Sequence, residues 1–306
     1  MVIVAGPTAT GKSRLAVKIA DALSGIVINA DSLQRYRDLP ILSARPTPAD
    51  MAGVPHKLFG DLGPKDTGSA AEWAEKAARE ITEAVNAGLL PVVVGGTGLY
   101  LRALMEGLIN IPTIPAEIHA SSEALLAEIG HAAFHGRLKE RDPKIAERLA
   151  PGDTHRLLRA WDVIEATGTS LSVWQTTPTS PPLSATYYSI VTVPERAALY
   201  GACDARFHQM VESGVVEELR VFLDSGGSLD MPVMKMLGAR ELASYLSGAA
   251  TLNEAIAAAQ AVTRHYAKRQ VTWFKGQFNA SLSISTQYSE RKTEEILSNI
   301  RHWVLT

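Results

Sequence analysis

The chain opens with an apolar run, Val2-Ile3-Val4-Ala5, that passes directly into Gly6-Pro7-Thr8-Ala9-Thr10-Gly11-Lys12-Ser13 and then into a helix-like stretch. A buried strand, a glycine-bounded loop ending in Lys-Ser and a helix, in that order, make a phosphate-binding loop and the first β-α unit of an α/β sheet. The glycines let backbone N–H groups turn inward around an anion, and Lys12 supplies a cation. The Ser13 hydroxyl is placed to hold a magnesium ion, so Mg2+ is the expected cofactor. The chemistry therefore involves a phosphate or diphosphate, but the loop alone names neither the compound nor the reaction.

The first hundred residues continue the same alternation. Leu15 to Leu23 is helical, Ile26 to Ala30 is a second β-branched strand and Pro91 to Val94 leads a third. Between them Ser69-Ala70-Ala71-Glu72 reads as a capping box, and Trp73, Ala77, Ile81 and Val85 recur every fourth residue up to Gly88. The expected fold is α/β, a P-loop-containing doubly wound parallel sheet. From about Ile111 the style changes to charged helical segments, Glu123 to Ile129, Lys144 to Leu149 and Arg156 to Glu165, closed by the exposed loop Thr176-Thr177-Pro178-Thr179-Ser180-Pro181-Pro182. Residues 111–185 are thus expected to be a helical insertion domain in a catalytic core of 1–110 and 186–306. A short β-like run from Tyr188 to Val193 returns the chain to the sheet, and long helices are expected over Glu195 to Ser225 and Leu252 to Lys275.

Composition narrows the class. A single cysteine, Cys203, excludes an internal disulfide and a multi-cysteine zinc site, and no apolar run is long enough to cross a membrane. With no charged leader ahead of Val2, a cytoplasmic location is the expectation. A net charge of -2 argues against a globally basic nucleic-acid wrapper and leaves a local basic groove open. No sustained heptad demands a dimer, so a monomer is expected.

Ligands of doubly wound sheets bind beyond the carboxyl ends of the strands. The phosphate loop is one such end. The second is Asp31-Ser32-Leu33-Gln34, where the carboxylate could take a proton from a substrate, help order magnesium, or simply cap a following helix. The third is Gly95-Gly96-Thr97-Gly98, either a plain turn or a place where a ligand comes close beside the Thr97 hydroxyl. Arg206 borders the buried face of a helix carrying Leu199, Cys203, Phe207 and Met210, so it needs an anion, either a structural carboxylate or a ligand phosphate. The stretch from Thr263 to Lys275 interleaves cations with Tyr266, Trp273 and Phe274, as a nucleic-acid groove would, although cations near a helix C-terminus also complement its dipole. His155, Arg156 and Arg159 form a second basic set in the insertion.

Together these residues resemble the tRNA dimethylallyltransferase (IPP transferase) family over nearly the whole chain. The resemblance rests on Gly6 to Ser13, Asp31-Ser32-Leu33-Gln34-Arg35-Tyr36, Val54-Pro55-His56, Val94 to Tyr100, Arg206-Phe207, Lys235 to Glu241 and Thr263 to Phe274, in that order. It implies transfer of a dimethylallyl group from dimethylallyl diphosphate to the N6 amine of adenosine 37, beside the anticodon of a tRNA. The loop Gly6, Pro7, Thr8, Ala9, Thr10, Gly11, Lys12, Ser13 would hold the diphosphate, with Mg2+ near Ser13. Asp31 would accept the proton of the attacking amine, and Thr97 and Arg206 would stand with Lys12 at the departing diphosphate. The tRNA anticodon stem-loop would be met by Asp31, Ser32, Leu33 and Gln34, by Thr97 and His119, by His155, Arg156, Leu157, Leu158 and Arg159, and by Lys235, Met236, Leu237, Gly238, Ala239 and Arg240. Two departures stand out: His119 occupies a position where the family commonly has arginine, and Pro55-His56-Lys57-Leu58 has lysine where a second histidine is common. Rival readings are an adenylate isopentenyltransferase acting on free AMP, ADP or ATP, which would leave the insertion and the basic C-terminal helix unexplained, a small-molecule kinase on the same loop, and a non-catalytic RNA-binding protein.

Overall fold

The computed structural model describes residues 1–305. Six strands, β1 (Val2–Ala5), β2 (Gly25–Asn29), β3 (His56–Lys57), β4 (Leu90–Gly95), β5 (Tyr188–Thr192) and β6 (Leu282–Ile284), form one sheet in the order β3-β2-β4-β1-β5-β6. Every pair is parallel. Strands covered on both faces read as unbroken apolar runs, and β1 is buried at all four positions. From β1 the chain winds outward to β2 and β3, returns to place β4 between β2 and β1, and later builds β5 and β6 on the opposite side of β1. The register sets Ala5 beside Gly95 and Asn29 beside Val94, so the three loops singled out in the sequence leave one sheet edge as neighbours. The crevice lies at this reversal of winding. The sequence pattern did not mark β3 and β6, which are too short to carry an alternation or an apolar run.

Leu15, Ile19, Ile296 and Ile300 pack with the β1, β2 and β4 valines in one core. A second core gathers Tyr36, Leu39, Phe207, Leu219, Val233 and Leu242. The helix Ala70–Asn86 departs from its pattern in two ways. Ser69 does accept the Glu72 N–H at 3.1 Å, but the Glu72 carboxylate turns to Arg35 and Lys76 instead of closing the box. Val85 is exposed, because each four-residue step overshoots a helical turn by about 40° and by the third the position has left the buried stripe; Ala84 takes its place. The single helix expected over 195–225 is two, Arg196–Glu212 and Val215–Asp224, parted at Gly214 with φ 92°.

The chain divides into two compact units, 1–105 with the segment from Pro182 onward, and 106–181. The second unit is helical. Its longest helix, Ala116–Arg141, is interrupted at Gly130, where φ is 75°. Phe134, Leu138, Leu157, Trp161 and Ile164 form its core, and the Arg141 guanidinium lies 4.8 Å over the Trp161 ring.

Candidate active site

Beyond the sheet edge lies a cavity of about 1070 Å3, lined by the phosphate loop from Thr8 to Ser13 and by Asp31, Leu33, Gln34, Arg206, Thr263 and Tyr266 among others. The phosphate loop is held open by its own backbone. Gly6 runs so close to β5 that a Cβ would sit 2.5 Å from the Thr192 carbonyl oxygen, and Ala9 and Gly11 turn through φ 61° and 81°. The Thr10 hydroxyl donates to the Pro7 carbonyl at 3.0 Å, and Tyr288 N–H donates to the Thr10 carbonyl at 3.2 Å.

Lys12 is buried with its ammonium 3.4 Å from the Pro7 carbonyl. Burial pushes its pKa down from 10.5 to about 8; the Asp31 carboxylate works against that shift and Arg206 with it. In the folded protein the charged form therefore carries a penalty below pH 8 that fades as pH rises toward 10.5, and an anion bound beside Lys12 must pull the proton back. Calorimetry of inorganic diphosphate binding at pH 8.5, in buffers of differing ionisation enthalpy, is expected to show more proton uptake for wild type than for Lys12→Arg. Equal uptake by the two proteins would mean that Lys12 does not meet the anion.

Asp31 follows β2 directly. It starts no helix; one carboxylate oxygen accepts the Leu33 N–H at 3.0 Å, which fixes the side chain without exhausting its acceptor capacity. Its backbone is bracketed by buried Asn29, whose Oδ1 accepts Asp31 N–H at 2.8 Å and whose Nδ2 donates to the carbonyls of Asp31 and Leu58 at 3.0 and 2.9 Å. Arg206 lies in the cavity wall. Among the described residues it has no carboxylate ion-pair partner, and burial holds its guanidinium below the ordinary value while Asp31 acts on it through space. Of the two anions the sequence left open, the structure supplies no carboxylate, which leaves the site for a ligand. Cys203, whose thiol burial pushes up, is a neutral part of the same wall.

Thr97 is placed differently from Lys12, Asp31 and Arg206. It does not line the cavity; its Oγ1 accepts the Ser32 N–H at 2.9 Å and donates to the Ser32 hydroxyl at 3.3 Å. It therefore ties the loop after β4 to the loop after β2 from behind. Tyr266, whose phenol is raised by burial and then by Asp31, is the group that faces the cavity there. The sequence placed Tyr266 in a nucleic-acid stripe; in the helix Leu252–Gln277 the residues Thr263, Tyr266 and Gln270 instead form one inward face. Trp273 lies against Gly98, where a Cβ would overlap the indole, and Phe274 is buried. That leaves His265, Lys268, Arg269 and Lys275 as the exposed basic residues.

Behind Asp31-Ser32-Leu33-Gln34 sits a charge network that the sequence reading did not find. Arg35 is fully buried. It donates to both Asp61 oxygens at 2.9 and 2.6 Å and to both Glu72 oxygens at 3.3 and 3.2 Å, and reaches the Tyr100 hydroxyl at 3.4 Å. Lys76 bridges Asp61 and Glu72 at 3.1 and 2.7 Å. Burial works against the charge of Glu72, yet Arg35 and Lys76 hold its carboxyl down to about 2.

The residues named for tRNA contact fall into two sets. Ser32, Leu33 and Gln34 are half-buried, and Gln34 donates to the Ala44 carbonyl at 2.8 Å. His155, Arg156 and Arg159 are exposed along the helix Thr154–Thr167, whereas Leu157 and Leu158 are buried in the insertion core at 0% and 5% exposure. Their alternation follows from the 3.6-residue turn: the same helix must bury one face to exist, so these leucines support a surface and cannot form it. Met236 and Ala239 are buried in the second core, Leu237 lines the cavity, and Lys235 and Arg240 are exposed on either side of Gly238. His119 is half-exposed, with Nδ1 2.7 Å from the buried Asp162 carboxylate. No cluster of three His, Cys, Asp or Glu able to hold a metal occurs among the described residues. A magnesium ion at the exposed Ser13 would have to draw its remaining ligands from substrate phosphate and water.

Comparison with known proteins follows the same outline. The IPP transferase family profile matches residues 34–277. A tRNA dimethylallyltransferase of Paramagnetospirillum magneticum is 51% identical over 100% of this chain and 97% of its own length. One from Parvibaculum lavamentivorans is 46% identical, over 100% and 97%. The crystal structure of a tRNA isopentenylpyrophosphate transferase from Bacillus halodurans superposes with a TM-score of 0.71 at 34% identity, covering 98% of this chain and 95% of that one. A eukaryotic dimethylallyltransferase acting on tRNA shares the fold at a TM-score of 0.81 and 23% identity, covering 98% and 77%.

Proposed function

Because this chain belongs to the IPP transferase family, we propose that it is the tRNA prenyltransferase its relatives are named for, and that the cavity is where a dimethylallyl group passes from dimethylallyl diphosphate to tRNA. The acceptor is the N6 amine of adenosine 37, which leaves its stack at small cost in a single-stranded anticodon loop. The amine nitrogen attacks the allylic carbon as the carbon–oxygen bond to diphosphate breaks, and Asp31 takes the amine proton. Lys12, Arg206 and the N–H groups of the phosphate loop neutralise the leaving diphosphate, where the charge develops. Mg2+ fits this site as a partner of the Ser13 hydroxyl that arrives with the diphosphate, and when bound it adds positive charge to the leaving group. His155, Arg156 and Arg159 suit phosphate contacts with the anticodon stem-loop. No described helix is long and apolar enough to cross a membrane, and we place the enzyme with its tRNA in the cytoplasm, acting as a monomer.

The observation that carries this reading is Arg206: a cavity-wall arginine with no ion-pair partner among the described residues, sharing the cavity with a buried lysine on a phosphate loop and with the Asp31 carboxylate. The test supplies labelled dimethylallyl diphosphate and magnesium with unmodified tRNA in one tube and AMP or ATP in another. Label is expected in tRNA. Label confined to the free nucleotide would make this an adenylate isopentenyltransferase, and phosphate transfer from ATP would make it a kinase.

A further inference from the structure

Gln270 is buried in the Leu252–Gln277 helix, and both ends of its amide are used across long stretches of sequence. Oε1 accepts the Thr8 N–H of the phosphate loop at 2.9 Å, and Nε2 donates to the Gly96 carbonyl of the loop after β4 at 2.8 Å. Residue 96 has to be glycine for this, since a Cβ there would overlap Nε2. One turn earlier on the same helix face, Tyr266 is close enough to Thr97 for the Thr97 hydroxyl to act on its phenol, and Thr97 in turn orders Ser32 next to Asp31. One side chain thus joins the loop that holds the leaving group to the loop that braces the proton acceptor.

We propose that Gln270 is a positioning residue that sets the separation of donor and acceptor, so that its loss uncouples diphosphate release from transfer to tRNA. This rests on the prenyltransferase reading of the cavity. In productive turnover the allylic carbon–oxygen bond breaks, the carbon–nitrogen bond forms and the amine proton passes to Asp31. If the amine stands outside about 3–3.5 Å of the carbon, water can take its place. Water then forms the new carbon–oxygen bond and loses a proton to Asp31 or solvent, giving the allylic alcohol and the same free diphosphate. A buried amide held at both ends costs free energy when either partner is lost, so the two loops are not free to drift while it is in place.

The experiment measures prenylated tRNA and free diphosphate in the same reaction for wild type, Gln270→Met and Gln270→Glu. Methionine removes both hydrogen bonds at similar volume, while glutamate keeps the acceptor for Thr8 and loses the donor to Gly96. Wild type is expected to give one diphosphate per prenyl group. The variants are expected to lose about tenfold in transfer and to release a several-fold excess of diphosphate, with affinity for inorganic diphosphate within about threefold of wild type in the uncharged methionine variant. A release-to-transfer ratio that stays at one in a folded variant, whatever its rate, would leave Gln270 a structural strut and overturn the proposal. If the methionine variant does not fold, the glutamate variant is read by the same ratio. Wild type that releases no diphosphate with tRNA present would overturn the prenyltransferase reading itself, which is a separate failure.

Discussion

Asp31→Asn is expected to slow prenyl transfer by a factor on the order of 10²–10⁴, the usual worth of a positioned general base. The substitution isolates charge from shape. Asparagine retains an oxygen to accept the Leu33 N–H, and the Asn29 bracket acts on the backbone of residue 31, so the turn survives. What disappears is the acceptor for the amine proton and the negative charge that acts on Lys12 and Arg206. That charge opposes an incoming diphosphate, so the variant is expected to bind inorganic diphosphate at least as tightly as wild type while turning over far more slowly. Single-turnover rates and diphosphate titrations of one preparation decide the matter. A variant with weakened diphosphate binding and nearly unchanged turnover would mean that Asp31 orders the anion site and is not the base.

The largest expected loss of stability is at Asp61. Removing the carboxylate in Asp61→Ala leaves the fully buried Arg35 guanidinium with Glu72 as its one carboxylate beside the Tyr100 hydroxyl, and breaking such a pair costs about 3 kcal/mol in denaturant unfolding. Because most of that cost is an orphaned charge, Arg35→Met combined with Asp61→Leu is expected to recover much of it, with Glu72 still paired to Lys76. A double variant as unstable as the single one would show that the pair itself, and not its desolvated remainder, supports the Asp31 loop.

The sequence carried the central strands, the phosphate loop and Asp31 through short-range pattern and the rule about strand ends, whereas Arg206 was assigned to the same site by the family resemblance. It did not carry β3 and β6, which are strands by virtue of their neighbours. Thr97 was legible as a residue at a strand end but not as one turned toward Ser32, since rotamer and partner are set by packing. Gln270 and Arg35 were in plain view and chemically mute: a glutamine amid cations and an arginine within a motif acquire meaning only when residues far off in sequence bring their partners. Leu157 and Leu158 show the converse error, in which a contiguous stretch was assigned to a surface although a helix can present only part of it.

The parallel sheet also dictates a timetable. β1 is made first and lies in the middle, yet it pairs only with β4 and β5, so Val2 waits for Val92 and then for Tyr188. At synthesis rates of about 5–20 residues per second the first wait is on the order of ten seconds, during which an apolar strand has no edge to join. The phosphate loop waits longer, since Gln270 and Tyr288 brace it from the far part of the chain. A nascent chain stalled before those residues would carry the loop's sequence without its shape, and such contacts between distant segments predict slow folding and a need for protection from aggregation along the way.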